Sequence, residues 1–128
     1  MNHLLLVMLG GALGAGLRHL FGRGTLALLG PNWPWGTLGV NLLGGFAMGL
    51  LVAALGRGVF DGLGGENARL LLGVGVLGGF TTFSAFSLDA VLMIERGELG
   101  GAALYVAASV LGSLVALFVG LSVARASA

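Results

Sequence analysis

Four apolar stretches, each long enough to cross a lipid bilayer, take up most of this 128-residue chain. They cover residues 3–21, 35–55, 68–94 and 99–123. About 20 apolar residues in a row span the hydrocarbon core as a helix. Inside lipid, every backbone polar group needs a partner, so only helices and closed barrels cross it. Barrel strands are shorter and alternate polar with apolar residues. Continuous apolar runs of this length therefore predict an all-α membrane protein, with a single transmembrane domain over residues 1–128. Only 9% of the residues are charged, against about 25% in a soluble domain. No part of the chain offers material for a soluble domain, and no internal repeat is visible.

The connections carry the turn and charge signals. Gly30-Pro31-Asn32-Trp33-Pro34-Trp35 closes the first loop, and its two prolines limit helix there. Trp33 and Trp35 are placed as interface anchors. A glycine-rich segment from Arg57 to Asn67 forms the second loop, and Glu95-Arg96-Gly97-Glu98 makes a tight third turn. The first apolar stretch lacks the basic flank of a signal peptide, so it is expected to be a retained helix. A formal net charge of +1 argues against a nucleic-acid partner. Cysteine is absent, which excludes disulfides and thiolate metal sites.

The third stretch is interrupted by composition. Gly78 to Ser87 reads Gly-Gly-Phe-Thr-Thr-Phe-Ser-Ala-Phe-Ser. Hydroxyls and paired glycines at membrane depth are costly unless they face protein, water or an ion. A spanning helix broken in its middle is a recurrent way to build an ion site. The expectation is that the third helix is broken mid-membrane. Glycines four residues apart, at Gly10/Gly14, Gly45/Gly49 and Gly75/Gly79, predict faces where helix backbones approach closely.

All six cations are arginines. With four spans, Arg57, Arg69 and Arg125 fall on one side of the membrane, and Arg18, Arg23 and Arg96 on the other. The positive-inside rule needs an imbalance to fix orientation. An even split predicts insertion both ways round and pairing with an inverted copy as a closed two-fold dimer.

A few polar residues lie within the spans. Asn41 is in the middle of the second, with Thr37 four residues earlier on the same helical face. Its amide serves either as interhelical glue or as a donor to an anion. Tyr105, Ser109 and Ser113 place three hydroxyls along one stripe of the fourth helix. Phe83 and Phe86 share a face, extended backward by Phe80. They are either packing residues or rings whose electropositive edges contact an anion. Arg18 either snorkels to the interface or raises the anion concentration at a pore mouth. Asp89 either pairs with an arginine or lines a vestibule. No nucleophile has a base near it in the chain, so an enzyme is not expected.

Three segments together carry a family resemblance. They are Gly10-Gly11-x-x-Gly14-Ala15-x-x-Arg18, Gly36-Thr37-x-x-Val40-Asn41-x-x-Gly44, and the run from Gly78 to Ser87. In order, spacing and four-span length the chain resembles the Fluc (CrcB) fluoride channels. The resemblance implies a dual-topology, antiparallel homodimer in the plasma membrane of a microbe, the inner membrane in a Gram-negative cell. Each dimer would hold two passive fluoride pores that confer fluoride resistance. It also implies a central structural sodium ion (Na+) held by the backbone carbonyls of Gly78 and Thr81. The implied pore residues are Asn41, Phe83, Phe86, Tyr105, Ser109 and Ser113, with Thr37 and Ser84 beside them. Arg18 and Asp89 would stand at the pore mouth or serve structure. The chain departs from the family pattern at Ala85, where a threonine is common, at Asp89, often a glutamate, and at His19, often a tyrosine.

Elementary physics is compatible with that resemblance. Fluoride is small and strongly hydrated, so a pore must replace its water with many donors. A fixed cation would hold it too tightly, whereas amides, hydroxyls and ring edges let it leave again. Small multidrug or guanidinium transporters share the four short spans. They require a carboxylate in the first helix, and residues 3–21 contain none. A scaffold protein would account for the glycine faces but not for Asn41, the two phenylalanines and the serine stripe together.

Overall fold

The computed structural model describes residues 2–127. Four helical segments in it are long and apolar enough to cross a membrane: His3–Leu29, Trp35–Gly56, Gly65–Glu95 and Leu99–Ala126. Helix α1 (His3–Leu29) starts where the Asn2 side chain accepts a hydrogen bond from Leu4 N at 2.7 Å, a capping role suited to asparagine. It runs well past residue 21, because nothing between Gly22 and Leu29 breaks a helix. It stops at Gly30, whose positive φ of 80° with ψ 177° is a backbone conformation open essentially to glycine. Pro31 and Pro34 then hold a short loop on which Trp33 and Trp35 pack with ring centroids 4.9 Å apart.

Helix α2 (Trp35–Gly56) is followed by a single 3₁₀ turn at Asp61–Leu63. The third segment is irregular. It opens with α3 (Gly65–Ala68), widens into a π-helical stretch (Arg69–Leu77), and tightens again as α4 (Gly78–Phe80). After two extended residues, α5 (Phe83–Glu95) resumes. A turn through Gly97 leads to α6 (Leu99–Ala126). At 1.5 Å per residue, α1 and α6 are each about 40 Å long, enough to reach beyond a hydrocarbon core of about 30 Å.

Missing side chains set the helix packing. A Cβ on Gly10 or Gly14 would collide with the carbonyls of Leu71 or Val76, so α1 lies directly against the π-helical stretch. Gly75 and Gly79 face α1 in return. Gly49 and Gly120 do the same for α2 against α6, where a Cβ on Gly49 would stand 2.7 Å from Leu121 N. The four-residue glycine spacing thus marks real contact faces. Arg57 ties the far end of α6 to the loop after α2, donating to Ala124 O at 2.6 Å.

The buried core is small, and its main cluster is Leu38, Phe86, Ala90, Met93, Ala102 and Tyr105. Many large apolar side chains point outward, among them Leu28, Phe83 and Phe118. A protomer with this much apolar surface needs lipid or protein around it.

Candidate functional site

The interruption between α4 and α5 consists of Thr81 (φ −86°, ψ 158°) and Thr82 (φ −153°, ψ 121°), both extended. Two extended residues take several backbone groups out of the helical ladder, and each then needs another partner. Thr81 returns to Leu77 O with its amide at 3.0 Å and its hydroxyl at 2.9 Å. Arg18 Nε donates to Gly79 O at 3.1 Å, from 61 positions away in the chain. Asn41 holds both backbone groups of Thr82. Its Nδ2 donates to Thr82 O at 3.0 Å, and its Oδ1 accepts from Thr82 N at 2.8 Å. The Thr82 hydroxyl caps α5 by accepting from Ala85 N at 3.1 Å.

Of the carbonyls around the interruption, Thr81 O accepts no hydrogen bond among the described residues and Gly78 O receives none from Thr81 N or Thr82 N, whereas Leu77 O, Gly79 O and Thr82 O are all engaged. Bare carbonyls at membrane depth are costly. Oxygen donors without protons are the ligands that a hard cation takes. These two groups therefore suit sodium in donor chemistry.

Two clefts meet at the interruption, and Thr82 borders both. One, of about 320 Å³, is lined by Asn41, Gly78, Thr81, Phe83 and Ser113. The other, of about 380 Å³, is lined by Arg18, Thr37, Asp89 and Arg96 under the Trp33 loop. Of the residues singled out in the sequence, Asn41, Gly78, Thr81, Phe83 and Ser113 line the first cleft, Arg18, Thr37 and Asp89 the second, and Ser84, Phe86, Tyr105 and Ser109 neither. Arg18 lies beside the second cleft, but its Nε is committed to the interruption itself. Arg96 is paired with the exposed Glu98 at 3.1 Å.

An aromatic series runs from the interruption into the core. Phe83 is 77% exposed, whereas Phe86 is buried, with ring centroids 5.5 Å apart. Phe86 packs on Tyr105 at 5.3 Å, and Trp33 meets Tyr105 edge-on at 5.4 Å. Tyr105 OH donates to Asp89 Oδ2 at 3.0 Å, across α5 and α6. One turn further along α6, the buried Ser109 Oγ has no hydrogen-bond partner among the described residues. Ser113 follows on the first cleft. Ser84 is exposed and lies 3.4 Å from the Thr82 hydroxyl.

Sequence reasoning does not single out Thr82 or the Gly79 carbonyl. For Thr82 there is a local signal, a threonine set just before an apolar helix and three residues ahead of Ala85, the position of an N-cap. For Gly79 there is none, because its partner is brought in by tertiary packing.

The family described as "CrcB-like protein, Camphor Resistance (CrcB)" matches residues 5–121 of the chain. Similar proteins cover nearly its full length. A protein of Mesorhizobium japonicum is 53% identical over 126 residues, 98% of either chain. One of Chelativorans sp. is 58% identical over 125 residues, again 98% of each. One of Phenylobacterium zucineum is 56% identical over 126 residues, 98% of this chain and 97% of its own. All three are named "Fluoride-specific ion channel FluC".

Proposed function

The chain belongs to the CrcB family, and from that membership we propose that it conducts fluoride selectively and passively out of the cytoplasm. It is a multi-pass membrane protein and a transporter rather than an enzyme. The observation that carries the proposal is the convergence of Asn41, Thr81, Phe83 and Ser113 on one cleft beside the interruption. An amide, the Ser113 hydroxyl and a ring edge offer graded contacts to a small anion, with no cationic side chain lining the cleft. An inside-negative potential supplies about 2.3 kcal/mol per charge for each 100 mV, enough to expel the anion without ATP.

The working unit in this proposal is an antiparallel homodimer in the plasma membrane, with two pores. Support comes from the even arginine split and from the outward position of Phe83, which a second copy would cover. Gly78 and Thr81 of both copies would hold one sodium ion through their carbonyls. When bound, that ion supplies the positive charge these oxygens otherwise lack.

Two measurements test the proposal. Liposomes containing the purified protein are expected to release fluoride once a potassium ionophore relieves the voltage, with little chloride release. Equal chloride flux, or obligatory exchange with protons, overturns it. A cysteine introduced at Ser127 of this cysteine-free chain is expected to react with impermeant reagent from both sides of the membrane. Labelling from one side alone rules out the inverted dimer.

A further inference from the structure

The last turns of α1 carry a basic surface for which the proposed pore has no use. His19 and Arg23 are exposed there. With Ala15, Arg18, Gly22 and Leu26 they line a notch of about 460 Å³ made by α1 alone. The notch is open beside Gly22, where a Cβ would meet nothing within 4 Å. No carboxylate borders the notch. Among the described residues neither His19 nor Arg23 has an ion-pair partner.

Depth decides what this surface meets. About 20 helical residues cross the hydrocarbon core, and α1 has 27. Counted from His3, the core ends near Gly22, which leaves Arg23 at the level of the headgroups. Trp33 and Trp35 stand just beyond the end of α1, as residues of an aromatic belt do. Exposed leucines flank the basic groups, with Leu20 at 62% and Leu26 at 55%.

We propose that this notch binds an anionic phospholipid, with Arg23 and His19 on the headgroup phosphate and Leu20, on the core side of Arg23, along an acyl chain. An arginine offers a planar fork of donors to a phosphate. The adjoining Leu20 favours a lipid over a free phosphate ion, which would gain nothing from it. The site is independent of which ion the protein conducts.

Native mass spectrometry of the purified full-length protein tests it, with phosphatidylglycerol and phosphatidylcholine supplied in equal amounts. The wild-type protein is expected to retain phosphatidylglycerol over phosphatidylcholine by about fivefold, the effect of roughly one arginine near a phosphate surface. Arg23→Gln is expected to remove most of that preference and Arg23→Lys to keep it. Arg125→Gln, at the opposite end of the bundle, is expected to leave it unchanged. Inorganic phosphate is expected not to displace the lipid. Equal retention of both lipids by the wild-type protein overturns the proposal without any variant. So does an unchanged preference in Arg23→Gln, or displacement of the lipid by inorganic phosphate. Fluoride flux of Arg23→Gln in phosphatidylcholine liposomes is expected to match wild type, which separates this site from the pore.

Discussion

Replacing Asn41 by leucine is expected to lower fluoride flux by about tenfold or more. The side chain is close in size, but both bonds to Thr82 are lost. The Thr82 N–H and C=O then have no partner in a partly buried position, at a cost of about 1–3 kcal/mol each. The extended pair Thr81–Thr82 can recover those bonds only by moving, and every group lining the first cleft moves with it. Asn41→Asp separates this positioning role from direct contact with the anion. Aspartate still accepts from Thr82 N but cannot donate to Thr82 O, and its charge repels an anion. Its Thr82 amide is therefore expected to stay protected from hydrogen exchange while flux falls. In Asn41→Leu, protection and flux are expected to fall together. A leucine variant with wild-type flux would show that the Asn41–Thr82 pair is not needed for conduction.

The chain announces its spans plainly and its tertiary bonds hardly at all. Hydropathy is a local property, so the four membrane-crossing segments are readable without partners. Close helix contacts are readable for a similar reason, because Gly10 and Gly14, or Gly45 and Gly49, leave their mark in the spacing itself. The end of α1 is less legible. Arg18 looks like the edge of a span, but the helix continues to Leu29, and Arg18 turns inward to Gly79 O. Hydropathy registers a charge and carries no information about a carbonyl 61 positions later. The same holds for Asn41, recognised as polar within a span, whose partner Thr82 is 41 residues on. Tyr105, Ser109 and Ser113 show a different limit. Four-residue spacing places them on one face of α6, yet the elements opposite give them different surroundings. Tyr105 meets Asp89, Ser109 meets no partner among the described residues, and Ser113 meets a cleft. Nor does any composition signal foretell the π-helical stretch at Arg69–Leu77. Such widenings recur at functional sites, and this one abuts α1 through glycine.

Phe83→Ile and Phe86→Ile are each expected to lower fluoride flux by about tenfold, with different effects on stability. Isoleucine keeps an apolar side chain and removes the ring quadrupole. Aromatic pairs gain about 0.5–1.5 kcal/mol from the same quadrupole beyond apolar burial, and a ring-edge contact to the anion at the upper end of that range corresponds to about tenfold. The two rings are not equivalent in the protomer. Phe83 is 77% exposed, so its replacement removes little packing within one chain. Phe86 is only 8% exposed and sits against Tyr105 in the core cluster. Its replacement leaves space beside Tyr105, and large-to-small changes in cores destabilise by roughly 1–3 kcal/mol when part of the volume is kept. A lower melting temperature is therefore expected for Phe86→Ile and an almost unchanged one for Phe83→Ile. That contrast makes Phe83→Ile the cleaner test, because a loss of flux there is not explained by a loosened core. Its flux should be measured per incorporated protein, from vesicles with known protein occupancy, since Phe83 also faces the surface that a second copy would cover in the proposed dimer. If Phe83→Ile assembles normally and conducts at the wild-type rate, the exposed ring is not part of the fluoride path. If both variants do so, the aromatic pair is packing alone, and the path has to be sought in the second cleft, along Thr37 and Asp89.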